Sequence, residues 1–321
     1  MAHIVLVGAG QIGSRHLQSL AKLASDNVIT VIEPSLVAQN TALQRWNDVV
    51  CAHSPSVYWR ETISQLPAAV DVVIVATGAA SRLEIVKQLR SQLEFRYLIL
   101  EKVLFQSAAQ LSEAQRLLAG AAVFVNCSRR TYPFYRRLQR LLNEEVAVCY
   151  EIEGQNWDMA CNAIHHIDLW FYLARVTGYR CDVSGLEPRL IASKRNGCYE
   201  VMGTILGLAE NGSRFSFQCL STQLDKQYTV TIKTASWQVR INEPQRQYVL
   251  TNLKTGVKET GHLHVNIQSQ LTADIVSSLL ETGACQLTPL DESALIHHAF
   301  LAALQLFFQQ QNADFDLCPI T

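Results

Sequence analysis

The chain has 321 residues and carries 27 Lys and Arg against 28 Asp and Glu, a formal net charge of −1. Because domains average roughly 150 residues, a chain of this length is expected to form two domains. Its near-neutral charge gives no attraction to nucleic acid or anionic lipid. No apolar run approaches the roughly 20 residues of a membrane helix. The nine cysteines form no C-x-x-C pair, and the N-terminus lacks a signal peptide, so we expect reduced thiols in a cytoplasmic protein.

The first third of the chain alternates short β-branched runs with stretches of helical periodicity. We predict strands at residues 3–7, 27–32, 70–76, 96–100 and 122–126, and helices at residues 12–24, 35–46, 81–93 and 108–119. Strands that alternate with helices of this length indicate right-handed βαβ units. Residues 1–127 are therefore predicted to form a doubly wound α/β domain around a parallel sheet.

The pattern changes after residue 127. Helices are predicted at residues 132–143, 162–177, 266–281 and 292–311, and several strands follow one another between residues 182 and 253, among them 214–220, 227–233 and 247–250. Successive strands without intervening helices form hairpins. Residues 128–321 are therefore predicted to be an α+β domain with a mainly antiparallel sheet.

A glycine-rich turn connects the first predicted strand to the first helix, with the sequence Gly8-Ala9-Gly10-Gln11-Ile12-Gly13. In a G-x-G-x-x-G turn the first glycine permits the tight bend, the second lets the backbone approach a pyrophosphate, and the third allows close packing of helix on strand. The free N–H groups of the helix then point at the phosphates. The turn predicts a dinucleotide site that includes Gln11 and Ile12.

Glu33 lies 20 residues after Gly13, at the end of the second predicted strand. An acidic residue there accepts hydrogen bonds from the adenosine ribose, and its charge repels a 2′-phosphate. We therefore predict NAD in preference to NADP as the cofactor. The alternative is a solvated Glu before the turn-forming Pro34.

Several segments in order resemble the Gfo/Idh/MocA family of NAD(P)-dependent oxidoreductases, which includes glucose–fructose oxidoreductase and inositol dehydrogenase. The similar segments are GAGQIGSRHLQSL at residues 8–20, VIVATGAASRLEIV with Thr77, LILEKVL with Glu101-Lys102, VNCSRRTYPFYRRL with Arg130 and Pro133, and IHHIDLWFYL with His165 and Asp168. The resemblance implies an N-terminal Rossmann domain and a C-terminal domain with a large open-faced sheet. It also implies a homodimer or homotetramer formed through that sheet. The charge balance and the lack of a long apolar run predict no nucleic-acid or membrane partner.

The resemblance implies that hydride passes between nicotinamide and a carbinol or ketone carbon of a sugar, inositol or sugar derivative. Lys102 is then expected to contact the reacting hydroxyl, and His165 to take its proton. Lys102 also follows a strongly β run, which predicts a place at the carboxyl end of a parallel strand, where open α/β sheets bind ligands. The alternatives are a surface lysine paired with Glu101 and a core histidine satisfied by Asp168. Thr77, Glu101 and Lys102 are expected to line the cofactor site.

Substrate contacts are predicted for Arg130, Asn162 and Asp168. The guanidinium fork of Arg130 suits a carboxylate or phosphate, which favours an anionic or nucleotide-linked sugar. Asn156 and Trp157 are candidates for a wall on which a sugar ring stacks, and His166 is predicted to be structural.

Two positions depart from the family pattern. Many family members have an Asp four residues before the histidine, where this chain has Cys161, and a Pro after the lysine, where it has Val103. Cysteine is a poor substitute for a carboxylate near neutral pH, although Asp158 or Asn162 can supply a polar contact. A cis peptide bond is costly before a residue other than proline, so the bond before Val103 is expected to be trans.

Three other functions stay open at this stage. Cys161, His165 and Asp168 have i, i+4 and i+7 spacing and could ligate zinc from one helix. No metal is expected, however, because family members work without one. The chain can instead be an NAD(H)-binding regulatory protein that has lost catalysis. The third is a redox-neutral enzyme in which bound NAD oxidises and then re-reduces the same substrate.

Overall fold

A computed structural model describes all 321 residues and divides them into two compact units. Unit 1 consists of Met1–Phe105, Gln110–Asn126 and Asn266–Asp291, and unit 2 consists of Gln106–Ala109, Cys127–Val265 and Glu292–Thr321. The division expected from the sequence, 1–127 and 128–321, differs from this one chiefly at residues 266–291, which fold with unit 1. No helix of the structure is long and apolar enough to span a bilayer.

The helices and strands fall close to the predicted positions, with additional strands in both units. The first part of the chain contains β1 (His3–Val7), α1 (Gly13–Leu20), β2 (Val28–Ile32), α2 (Leu36–Asn47), β3 (Ser56–Arg60), β4 (Ala69–Val75), α3 (Ala79–Gln92), β5 (Glu94–Leu100), α4 (Ala108–Leu117), β6 (Ala122–Val125) and α5 (Pro133–Leu141). The second part contains β7 (Cys149–Gln155), α6 (Met159–Ala174), β8 (Arg180–Leu186), β9 (Ile191–Ala192), β10 (Tyr199–Glu200), β11 (Gly203–Leu208), β12 (Arg214–Cys219), β13 (Gln227–Lys233), β14 (Trp237–Asn242), β15 (Gln247–Asn252), β16 (Lys258–His262), α7 (Gln268–Thr282), β17 (Thr288–Pro289) and α8 (Leu290–Gln311). Short 3-10 helices span Ile63–Gln65 and Ser128–Thr131.

Unit 1 is built on a seven-stranded sheet of order β17-β6-β5-β4-β1-β2-β3. Every neighbouring pair from β6 to β3 is parallel, and β17 pairs antiparallel with β6 at the edge. The strand order reverses between β1 and β4, and ligands of open α/β sheets bind outside the carboxyl ends of the strands at such a point. The doubly wound Rossmann sheet predicted from the sequence is confirmed.

One face of this sheet is covered by α1, α2 and α7. The apolar cluster on that face joins strand residues such as Ile4 and Ile29 with Leu17 and Leu20 of α1 and with Val276 and Leu279 of α7, all fully buried. Helix α7 lies far along the chain, but its apolar residues recur at helical spacing and complete this core. Residues 266–291 therefore fold with unit 1 because α7 covers apolar surface of α1 that the first 127 residues leave uncovered.

Unit 2 is built on an eight-stranded sheet of order β16-β15-β14-β13-β7-β12-β11-β8. All neighbours are antiparallel except β7 and β12, which are parallel. Its inner face packs against α6, where Trp170 lies 5.1 Å from Phe215 and His166 lies 6.0 Å from Phe217 between ring centroids. The alternate residues, such as Glu151 and Glu153, are exposed. The predicted open-faced, mainly antiparallel sheet is confirmed.

Candidate functional site

The glycine turn of unit 1 has the geometry that a dinucleotide requires. Gly8 has φ of +89°, and its N–H donates to the carbonyl oxygen of Ile32 at 2.9 Å. A Cβ on Gly13 would lie 1.9 Å from the carbonyl oxygen of Gly8, so no side chain fits there. A Cβ on Gly10 would meet no heavy atom within 4 Å. Internal packing therefore explains the first and third glycines, while the second borders open space of the kind a pyrophosphate fills.

Arg45 of α2 fixes the exposed side of the turn. Its Nη1 donates to the carbonyl oxygen of Gln11 at 3.0 Å, its Nη2 donates to Gln11 Oε1 at 2.8 Å, and Ser14 Oγ is also bonded. The Ile12 side chain is exposed. Burial and the neighbouring Arg15 lower the pKa of Arg45. Sequence reasoning missed Arg45, because nothing in a helical stretch 34 residues away indicates that its side chain reaches the turn.

Glu33 directly follows β2 and is buried, with its carboxylate bonded to the backbone on two sides. Oε2 accepts the N–H of Ala9 at 2.8 Å and Oε1 accepts the N–H of Ser35 at 2.9 Å. A carboxylate has about four acceptor positions, so two backbone bonds leave room for ribose hydroxyls. The Glu33 carboxylate thus links the glycine turn to the end of β2.

Thr77 follows β4 at the switch point, and its hydroxyl has no hydrogen-bond partner although the oxygen is buried. Buried polar atoms are nearly always bonded, so an orphaned one at a ligand edge indicates a missing partner. Together with the open space at Gly10, this atom fits a bound dinucleotide. The residues predicted for the cofactor therefore suit that group.

A buried arginine that the sequence analysis did not select holds the segment after Lys102. Arg82 of α3 is 1% exposed and donates to the carbonyl oxygens of Thr77, Val103 and Leu104, the last at 2.7 Å. Burial lowers the pKa of Arg82 to about 10, against the opposing effect of Glu101. The guanidinium thus ties the end of β4 to the segment that carries Lys102.

The peptide bond between Lys102 and Val103 is cis, so the expectation of a trans bond is wrong. That expectation considered only the local preference of a bond before valine. The structure surrounds this segment with tertiary contacts, since Val103 and Leu104 are fully buried and Arg82 binds both of their carbonyl oxygens.

Glu101 lies in a buried polar network inside unit 1. Its Oε1 bonds with His16 Nε2 at 2.8 Å and accepts a hydrogen bond from Asn126, and His16 Nδ1 bonds with Thr272 of α7 at 2.9 Å. Burial raises the pKa of Glu101, but His16, Asn126 and the charge of Lys102 outweigh it, so the pKa is lowered. Glu101 is thus held as a carboxylate beside the half-buried Lys102.

In unit 2, α6 presents His165 and Asn162, which are both half-buried. The amide nitrogen of Asn162 donates to the carbonyl oxygen of Trp157 at 2.9 Å. The adjacent His166 is fully buried, with its Nδ1 bonded to Tyr150 Oη at 2.8 Å, and burial lowers its pKa well below the ordinary value. The structure therefore separates the two histidines as the helical spacing predicts, with His166 in the core.

Arg130 and Asp168 bind each other, which the sequence did not predict. Arg130 Nε donates to Asp168 Oδ2 at 2.9 Å and Nη2 donates to Oδ1 at 2.8 Å, while Glu292 Oε1 accepts from Nη1 at 3.0 Å. Arg130 is 6% exposed and Asp168 is fully buried. Tyr172 packs under the guanidinium at 5.0 Å. Their bonding groups face each other in an internal ion pair, which favours a structural role, and contact of either side chain with substrate stays a prediction.

The residues proposed for a sugar-stacking wall lie elsewhere. Trp157 is fully buried, stacks on Tyr228 and donates from Nε1 to the carbonyl oxygen of Gln218 at 2.8 Å. The amide of Asn156 donates to the carbonyl oxygens of Thr222 and Leu224. Both side chains serve the packing and the loop at the start of α6, so the stacking interpretation is wrong.

Cys161 is buried near a carboxylate from a different part of unit 2. Glu200 of β10 is 5% exposed, and its Oε2 accepts the N–H of Ala160 at 2.9 Å. Burial and Asp158 raise the pKa of Glu200, while a side-chain hydrogen bond from Cys161 partly opposes them. Cys161 stands where many family members have an Asp, and at this position the carboxylate of Glu200 approaches the first turn of α6. No group of three or more His, Cys, Asp and Glu side chains is arranged to hold a metal ion.

Residues 2–127 match the model of a family described as an oxidoreductase family with an NAD-binding Rossmann fold. The model is that of the Gfo/Idh/MocA oxidoreductases, to which this part of the chain is similar. No curated protein matches the chain.

Solved structures that share the fold extend over both units. A Gfo/Idh/MocA family oxidoreductase from Vibrio cholerae is 17% identical with a TM-score of 0.67, covering 98% of this chain and 100% of that one. The UDP-N-acetylglucosamine 3-dehydrogenase GnnA from Acidithiobacillus ferrooxidans is 12% identical with a TM-score of 0.71, over 96% and 99%. A super-repressor mutant of Gal80p from Saccharomyces cerevisiae is 14% identical with a TM-score of 0.69, over 96% and 97%. At these identities the likeness shows the fold alone.

Proposed function

We propose that the chain is an NAD-dependent oxidoreductase that transfers a hydride between nicotinamide and a carbinol or ketone carbon of a sugar, inositol or sugar derivative. Two features together support a bound dinucleotide: the open space beside Gly10 and the buried hydroxyl of Thr77, which has no hydrogen-bond partner. Bound NAD supplies the hydride acceptor. Glu33 supports NAD over NADP, because its buried carboxylate repels a 2′-phosphate.

Lys102 and His165 are the proposed proton-handling groups. Oxidation of a carbinol releases the hydroxyl proton as the hydride leaves, and an imidazole, whose ordinary pKa is near neutral, is suited to accept it. The buried carboxylate of Glu101 stabilises the positive charge of the neighbouring Lys102, which suits Lys102 to donate a hydrogen bond to the developing alkoxide. Asn162 is proposed to bind a substrate hydroxyl, while Arg130 and Asp168 are proposed to position α6.

The first experiment is a fluorescence titration with NADH and NADPH, followed by assay of a panel of sugars, uronates, inositols and nucleotide sugars at the NADH absorbance band. We expect tighter binding of NADH and turnover of one substrate class. Lys102→Ala and His165→Ala are expected to lower turnover at least about 100-fold with NADH affinity nearly unchanged. Lys87→Ala and His298→Ala, which remove the same residue types from a half-buried position of α3 and an exposed position of α8, are the matched controls. Full activity of both first variants contradicts the assignment.

Cys161 favours a second candidate, an NAD(H)-binding regulatory protein, because a thiol replaces the carboxylate of many family members. In that case NADH binds tightly but no member of the panel is turned over. The redox-neutral alternative gives a third result, in which product forms without release of NADH. The same titration and panel, with product formation also followed by chromatography, therefore separate all three functions.

A further inference from the structure

Unit 2 contains a polar cavity of about 360 Å³ beside the start of α6. Its lining includes Arg129, Tyr132, Lys226, Tyr228, Glu243 and Arg246. The volume falls within the roughly 300–1,000 Å³ of typical ligand pockets. Unlike Arg130, which lies one residue further on and is enclosed by its own ion pair, Arg129 faces this cavity.

The base of the cavity is preorganised. Arg129 Nη1 donates to Glu243 Oε1 at 2.6 Å, and Arg129 Nη2 donates to Tyr228 Oη at 3.3 Å. Tyr135 Oη also donates to Glu243 at 3.4 Å. With side-chain exposures of 15% for Arg129 and 10% for Glu243, both groups are fixed and largely dry. A guanidinium held in this way keeps its orientation when a ligand enters.

Two more cations surround the mouth of the cavity. Lys226 is 45% exposed, with its Nζ over the Tyr228 ring at 5.8 Å and 3.4 Å from Asp158 Oδ2. Arg246 is exposed, on a residue with φ of +54°. Three cations against the two carboxylates Glu243 and Asp158 leave an excess of positive charge, which favours an anion over a neutral sugar.

The cavity lies close to the histidines of α6. Burial lowers the pKa of His166, and the neighbouring Arg129, His165 and Lys226 lower it further. The ring of Tyr228, which lines the cavity, lies 5.9 Å from the ring of His166 between centroids, so the cavity adjoins the helix segment that carries the proposed proton acceptor. A substrate that reaches this segment from the cavity would have an anionic group at one end.

We propose that this cavity binds a carboxylate or phosphate group of the substrate, through Arg129 at its base and Lys226 and Arg246 at its mouth. The assignment rests on the proposed function, which it deepens by naming an anionic substrate. The planar fork of Arg129 and the two exposed cations match the several oxygens of such a group.

The test is calorimetric titration of the full chain with D-glucuronate, glucose 6-phosphate and D-glucose, with NADH present at saturation so that the glycine turn is occupied. At least one anionic sugar is expected to bind about tenfold or more tightly than glucose. Preference for glucuronate identifies a carboxylate, and preference for glucose 6-phosphate identifies a phosphate.

The double variant Lys226→Ala/Arg246→Ala is expected to lose this preference about tenfold or more. Lys233→Ala/Arg240→Ala removes the same two charges from exposed positions of β13 and β14 and is expected to retain it. Equal behaviour of the two double variants, or no preference of the unmodified chain for an anion, overturns the proposal. Failure of NADH to bind contradicts the proposed function instead, and the same titrations without cofactor then decide the cavity separately.

Discussion

The buried pair of Arg130 and Asp168 gives the sharpest stability prediction. Asp168→Ala removes both carboxylate acceptors at 2.8 and 2.9 Å and leaves a guanidinium that is 6% exposed. Removing one partner of a buried ion pair typically costs about 3–5 kcal/mol, because the other charge stays desolvated. Glu292 also accepts from Arg130 at 3.0 Å, so the lower half of that range is expected.

Glu292→Gln is the matched control on the same guanidinium. The Glu292 side chain is 35% exposed, and exposed ion pairs contribute about 0–1 kcal/mol. Urea denaturation followed by tryptophan fluorescence suits both variants, since three of the five tryptophans, Trp157, Trp170 and Trp237, lie in unit 2. A loss under about 1 kcal/mol for Asp168→Ala, or equal losses for both variants, would refute the structural assignment and restore a substrate role.

Three further predictions follow from the described contacts. Gly10→Ala is expected to leave the free energy of unfolding nearly unchanged while weakening NADH binding about tenfold or more, whereas Gly178→Ala, also in open space but in unit 2, changes neither quantity in a fluorescence titration. The pKa of Glu101 is lowered on folding, so the stabilising effect of its carboxylate is present above the ordinary pKa of 4.5 and is lost as pH falls through the folded value. The difference in free energy of unfolding between the unmodified chain and Glu101→Gln should therefore shrink from pH 7 to pH 4. The pKa of Glu200 is raised on folding, so the carboxylate form is disfavoured, and Glu200→Gln should cost less stability at pH 8 than at pH 5 when compared by urea denaturation.

The sequence predicts the parallel sheet of unit 1 well because its strands are continuous β-branched runs. It misses β3, whose residues Ser56–Arg60 alternate between exposed and half-buried at the edge of the sheet and include the polar side chains of Ser56 and Arg60. The glycine turn is predictable because strand, turn and helix are adjacent in the chain. In unit 2 the antiparallel class is evident, but strands such as β8 and β16, with alternating exposed residues, give a weaker signal.

The side chains that the sequence misplaces have partners far away in the chain. Arg130 pairs with Asp168, 38 residues on, and with Glu292, 162 residues on. Arg82 looks like the solvated side of a helix, yet it is fully buried by the segment after Lys102. Periodicity and motif spacing report what a residue type can do, whereas the partner that occupies a guanidinium is decided by tertiary packing.

The return of α7 to unit 1 has a consequence for dissecting the protein. A fragment ending near residue 127 would contain every glycine and acidic residue of the proposed nucleotide site, yet it would leave Leu17, Leu20 and their neighbours on α1 without the cover of Val276 and Leu279. It would also lack Thr272, the partner of His16. Such a fragment would expose a contiguous apolar stripe and be prone to self-association. Residues 1–127 alone are therefore not expected to form a stable, soluble domain. Moving the proposed nucleotide-binding unit into another protein would require including residues 266–291.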